Sequence, residues 1–275
     1  MPQSTHAQTP TIQISVINES TILTETDITP AVAALQKQVT NDFRPVWGTD
    51  AELTIVAKGS QPASGSWWLV LLDDTDQANA LGYHDLTTEG LPIGKVFAAS
   101  DLKAGTSWTV TASHELLEML GDPNINLTVF VQNSETAGML YAYEVCDACE
   151  DDSFGYKIDD ILLSDFVYPS WFENFRAAGS TRFDQMNKIQ KPLQLLTGGY
   201  IGVFNATSGS GWQQITDEQH PTNLKNRGTV GTRRERRNTP PDLWVTSLPP
   251  RKIVSNAQKY REQLQTIQHK REAAA

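Results

Sequence analysis

Residues 107–123, Ser-Trp-Thr-Val-Thr-Ala-Ser-His-Glu-Leu-Leu-Glu-Met-Leu-Gly-Asp-Pro, set a histidine and several carboxylates at helical spacing. Counted on the 3.6-residue repeat, His114, Glu118 and Asp122 fall at i, i+4 and i+8 and line one stripe, with Glu115 beside it. Trp108, Ala112, Leu116 and Met119 mark an opposite, apolar face. Gly121 tolerates a left-handed cap, and Pro123 pushes the residue before it out of the helical region. The helix is therefore expected to end where the stripe ends. The stretch reads as a helix that holds a metal ion.

Upstream of it, residues 11–17 alternate apolar and polar side chains of β-branched type, the pattern of a strand with one covered face. Thr29 and Pro30 supply an N-cap and a first-turn proline for a helix carrying Val32, Leu35, Val39 and Phe43, closed by Pro45. Residues 52–57 and 67–72 are short apolar runs bounded by turn formers and read as buried strands. Asp73, Asp74 and Asp76 resemble a calcium loop only in part, because no glycine and no later glutamate completes the pattern; an acidic turn is expected. Gly82-Tyr-His-Asp85 leads into residues 90–98, whose proline and glycines suit an edge strand.

Downstream, residues 124–131 read as extended, and residues 141–147 alternate and end among carboxylates. The aromatic run 164–172, with Pro169 at its centre, fits either core packing or a pocket wall. Residues 198–215 have the strand, Gly/Ser turn and strand of a hairpin. Residues 225–241 are basic and poor in apolar side chains, a linker by composition. Beyond Pro249-Pro250, the apolar residues Ile253, Ala257, Tyr260, Leu264 and Ile267 are spaced as a narrow helical seam that should be covered.

The chain has 275 residues and 39% hydrophobic side chains, enough to bury a core. Its net charge of −10 is uneven: residues 1–224 hold 10 Lys/Arg against 28 Asp/Glu, and residues 225–275 hold 12 against 4. An acidic body makes nucleic acid an unexpected partner for the main part. The basic tail is expected to fold back on that body or, with the C-terminal helix, to offer a surface to an assembly partner. Cys146 and Cys149 form one C-x-x-C, too little for a four-cysteine zinc site and too sparse for a disulfide scaffold. The carboxylates around them argue against redox work. With no signal-like start and no membrane-length apolar run, a cytoplasmic location, or one within a virion or other large assembly, is expected.

The pattern His114-Glu115-x-x-Glu118 resembles the His-Glu-x-x-His signature of the zincin metallopeptidases. It is similar to zincin-like proteins that carry Ser-His-Glu-x-x-Glu, then Asp-Pro, then Glu-x-x-Asp; the resemblance covers roughly residues 10–175. It implies an α+β fold: a zincin-like mixed sheet with an edge strand, a crossing helix and the metal-site helix. Such an edge borders the substrate cleft, where an extended peptide could add as a further strand. The expected organisation is a zincin-like metal-binding domain at 10–175, a helix and β hairpin appendage at 176–224, a basic linker at 225–250 and a C-terminal amphipathic helix at 251–275.

The implied cofactor is zinc, with His114 and Glu118 as ligands and Glu115 as the base that takes a proton from water. Glu118 in place of a second histidine adds negative charge and weakens the ion's acidifying effect. The third ligand is expected to be Glu144, with Asp122 and Asp147 as rivals, lying within about 5 Å of both His114 and Glu118. A helix ending at Gly121 turns Asp122 away, and Asn124, ten residues after His114, is a poor ligand where metzincins place theirs. The implied function is a zinc-dependent peptidase acting on a peptide or protein; the alternative is a catalytically degenerate zincin-like structural or interaction protein within a larger assembly.

Overall fold

The computed structural model describes residues 11–76, 80–208, 211–217 and the backbone pairing of 222–223. The basic linker and the C-terminal helix expected at 251–275 lie outside the described residues. The fold is mixed α and β, built on a mixed sheet of five strands. These are β1 (Ile12–Asn18), β2 (Ala51–Val56), β3 (Trp67–Leu72), β4 (Gly82–Leu86) and β5 (Pro92–Phe97), in the order β2-β1-β3-β5-β4. β1 runs parallel to β2 and β3, β3 runs parallel to β5, and β4 is antiparallel to β5.

The edges are thus β2 and β4, and the 90–98 run expected at an edge lies one place inside β4. Pro92 is the first residue of its strand, where a missing N–H costs least, so the proline does not force an edge position. Helix α1 (Glu25–Lys37) also begins earlier than expected. Thr24 caps it in a reciprocal capping box with Asp27, and Pro30 sits in its second turn, where few carbonyls lie behind it to lose a partner. A π-helical turn, Gln38–Phe43, continues into α2 (Arg44–Trp47), with Pro45 in its first turn and Gly48 as a left-handed cap.

After β5 come the short α3 (Ala98–Ala104) and α4 (Trp108–Gly121). α4 lies on β4 and β5 on one side and on β9 (Ile161–Leu163), which pairs with β8 (Tyr156–Ile158), on the other. It is therefore buried almost all round rather than along one stripe: from Thr109 to Leu120 only Thr111 is not buried. Polar partners hold it there. The Ser113 hydroxyl donates to Gln38 Oε1 at 2.6 Å and accepts the Ser164 N–H, while Gln38 Nε2 donates to the Ser164 carbonyl. Thr109 Oγ1 donates to the Leu162 carbonyl, and Asp152 accepts the Ser107 N–H at the helix start.

A second sheet has the order β12-β11-β10-β7-β6, from β6 (Thr128–Ser134), β7 (Ala137–Ala142), β10 (Tyr200–Asn205), β11 (Trp212–Thr216) and β12 (Thr222–Asn223). The hairpin β10-β11 joins this sheet through β10, which pairs antiparallel with β7, so strands from either side of residue 176 share one sheet. The run 164–172 packs as core, with Phe166, Val167 and Trp171 fully buried and Trp171–Phe172 ring centroids 4.8 Å apart. No helix among the described residues is long and apolar enough to cross a membrane.

Candidate metal centre

Strand alternation decides what α4 meets. Gly82 and His84 are two residues apart on β4, so they project from one face, and the antiparallel register sets His84 opposite Gly94 and Gly82 opposite Val96. Gly94 in turn stands beside Leu69 of β3, which is fully buried. A Cβ on Gly82 would lie 2.6 Å from Thr111 Cγ2 and 2.8 Å from Glu115 Cγ, and one on Gly94 would lie 3.5 Å from Glu115 Cβ. Two glycines thus let the helix settle on the sheet with Glu115 between β4 and β5 and His84 at its side.

The other wall comes from the chain after β7. Val145 O accepts the Val167 N–H, Ala148 O accepts the Leu196 N–H, and a 3₁₀ turn at Asp147–Cys149 closes the segment. The Cys146 N–H donates to Glu118 Oε1 at 3.2 Å, fixing one oxygen of that carboxylate.

His114 Nε2 then lies 3.3 Å from Glu118 Oε2 and 3.3 Å from Asp147 Oδ1. Ligand bonds of about 2.1 Å at a tetrahedral angle set donor atoms about 3.4 Å apart, so His114 is spaced from each carboxylate oxygen as two donors on one ion would be. The ligand atoms of His114, Glu118 and Cys146 all lie within 4.8 Å of one another, and so do those of His114, Asp147 and Glu150. Imidazole nitrogen, carboxylate oxygen and thiol sulfur together are donors that zinc accepts.

On the other side of Glu118, His84 Nδ1 is 3.6 Å from Glu115 Oε2 and 3.7 Å from Glu118 Oε2, and its Nε2 is 3.8 Å from Glu144 Oε2. The carboxylate expected first as third ligand, Glu144, therefore faces His84, and it is Asp147 that faces His114. Asp122 is turned away as its place past Gly121 implies: its oxygens accept the N–H groups of Asn126 and Leu127 and shape the loop after the helix. Two members of the cluster, His84 and Cys146, carry no sequence signal of helical spacing. The closest clue is His84 two residues after a glycine in a short strand, since a strand glycine often marks a close approach of another element.

The buried charges act strongly on one another. Burial alone lowers the His114 pKa, but Glu118 and the hydrogen bond to Asp147 outweigh it and hold the imidazole well above its ordinary value. Burial pushes the Glu118 carboxyl well up, Asp147 and Glu144 push it further, and His114 opposes them. Burial likewise raises the Cys146 and Cys149 thiols, His114 countering it at Cys146; both cysteines are unpaired as disulfides.

No protein-family model, curated protein or solved structure matches the chain.

Proposed function

We propose that the protein is a zinc-dependent hydrolase of peptide bonds with a zincin-like arrangement, its ion held by His114, Glu118 and Asp147. The observation that carries this reading is the approach of Glu118 and Asp147 to one nitrogen of His114, each at 3.3 Å. A zinc ion there would supply a Lewis acid for the scissile carbonyl and for an attacking water. Glu115, the next residue on α4, takes the proton from water as its oxygen attacks the carbonyl carbon. It then delivers that proton to the amine nitrogen as the C–N bond breaks. Support for a peptide as substrate comes from β4, which ends the first sheet among the described residues and can pair with an extended chain.

One observation favours a second reading, in which a metal held by the same residues only staples the fold. The cluster is nearly closed, with Glu115 5% and His84 0% exposed, and it ties α4, β4 and the segment after β7 together. Metal content and turnover of His114→Ala and Glu115→Gln separate the two. Both readings expect near-stoichiometric zinc that His114→Ala loses. Only the hydrolase expects peptide cleavage, with Glu115→Gln keeping the zinc and abolishing turnover. Protein that takes up no zinc at neutral pH would sink both.

A further inference from the structure

His84 is left without a task by that reading, and its surroundings call for one. It is fully buried on β4, and neither ring nitrogen has a hydrogen-bond partner; Glu115 Oε2 beside it has none either. Unpaired polar atoms at such depth are costly, and native structures rarely keep them without a ligand or a role. The separations of 3.6 Å and 3.7 Å from Nδ1 to Glu115 and Glu118 are too long for direct hydrogen bonds. They are near the spacing of about 3.0–3.4 Å between donors on a shared ion with bonds of about 2.1 Å. The ligand atoms of His84, Glu115 and Glu118 lie within 4.8 Å of one another.

We propose that His84, Glu115 and Glu118 form a second divalent-cation site, joined to the His114 site through the Glu118 carboxylate, so that the saturated cluster takes two ions. Glu118 Oε2 faces both imidazoles, at 3.3 Å from His114 Nε2 and 3.7 Å from His84 Nδ1, the placement of a bridging carboxylate. Glu144, at 3.8 Å from Nε2, faces the other ring nitrogen. With an ion on Nδ1, the remaining ring proton on Nε2 would point towards that carboxylate. Charge argues the same way. Glu115, Glu118, Glu144 and Asp147 carry four negative charges when ionised; one divalent ion with neutral imidazoles leaves two uncompensated in a buried site, and two ions cancel them. Imidazole with carboxylates selects first-row transition ions such as Zn²⁺ or Mn²⁺ over Mg²⁺ and Ca²⁺.

The joint site rests on the reading that His114 holds an ion, and it adds a consequence. When the second ion is in place Glu115 is a ligand and no longer a base, so excess zinc lowers turnover.

The test is metal stoichiometry of the full chain, stripped with chelator and dialysed to saturation against buffered Zn²⁺ or Mn²⁺, for wild type, His84→Asn and His114→Ala. Two equivalents are expected in the wild type and one in each variant, with circular dichroism reporting the fold. Saturation of the wild type at one equivalent overturns the proposal without recourse to any variant. If that single ion is kept by His84→Asn and lost by His114→Ala, the His114 reading stands. If it is instead lost by His84→Asn and kept by His114→Ala, the single site lies at His84 and the His114 reading falls together with the two-ion proposal. With Mn²⁺, a bridging Glu118 gives an exchange-coupled paramagnetic resonance spectrum at saturation; isolated six-line signals would overturn the bridge.

Discussion

Gly82 and Glu115 occupy adjoining space: a Cβ on the glycine would fall 2.8 Å from both Cγ and Oε1 of the glutamate. The edge strand β4 and the residue beside His114 are thus fitted to each other by the lack of a side chain. Shifting Thr111 to relieve the contact would strain the hydrogen bond that its Oγ1 donates to Asp101 at 2.7 Å. Gly82→Ala is therefore expected to displace Glu115 and to lower stability by about 1–3 kcal/mol, as overpacked sites do. Urea denaturation checks the second part; an unchanged midpoint would show that helix and strand can part at no cost.

Asp122 and Asp147 lie on either side of the question of ligation, and their variants should differ in kind. Asp122→Ala removes two acceptors of backbone N–H groups and is expected to lower stability by about 2–3 kcal/mol while keeping zinc. Asp147→Ala is expected to weaken zinc binding by at least about tenfold, as loss of a metal contact does. Competition against a chromogenic chelator measures it. Equal zinc affinity in both variants would exclude Asp147 as a ligand.

Asp165 makes a pH dependence that does not involve the metal centre. Burial and the hydrogen bond with Asp184 push its carboxyl up to about 9, from an ordinary 3.8. The folded protein therefore keeps a proton through a range in which the unfolded chain has lost it. That contribution to stability is complete below pH 3.8 and is lost as pH rises towards about 9. Asp165→Asn, which keeps an oxygen for the Phe166 and Met186 N–H groups, should flatten the decline. Denaturant midpoints at about pH 5 and about pH 8 read the difference. A wild-type decline that the variant reproduces in full would place its origin elsewhere.

Cys146 and Cys149 are 0% and 1% exposed, so thiol reagents should reach them only when the chain opens. Both should stay unreactive towards dithionitrobenzoate in the folded protein and react promptly in denaturant. Rapid labelling of either in native conditions would show that the segment after β7 opens readily.

Local rules carried the sequence reading as far as α4. The spacing of His114, Glu115 and Glu118, and the end of the helix at Gly121, depend only on residues within a few turns of one another. The strands at 12–18, 51–56 and 67–72 were legible for the same reason, since alternation and bounding turn residues are local. The start of α1 was misplaced because Thr24 with Asp27 makes a better cap than Thr29 before Pro30, two local signals in competition. The edge strand was misplaced because glycine and proline mark weak strand positions without saying why. At β4 and β5 the glycines answer to a helix lying on them.

What the sequence by itself determined was a helix with His114, Glu115 and Glu118 at one-turn spacing, a set of strands before it and an acidic body ahead of a basic tail. The tertiary structure alone decided which residues meet that helix. Asp147, Cys146, Glu144 and His84 arrive through a loop pinned by Val167 and Leu196 and through the β4–β5 register. Spacing along a chain cannot encode such meetings. They depend on sheet pairing and on the close approach that Gly82 and Gly94 permit, contacts set by packing between segments distant in sequence.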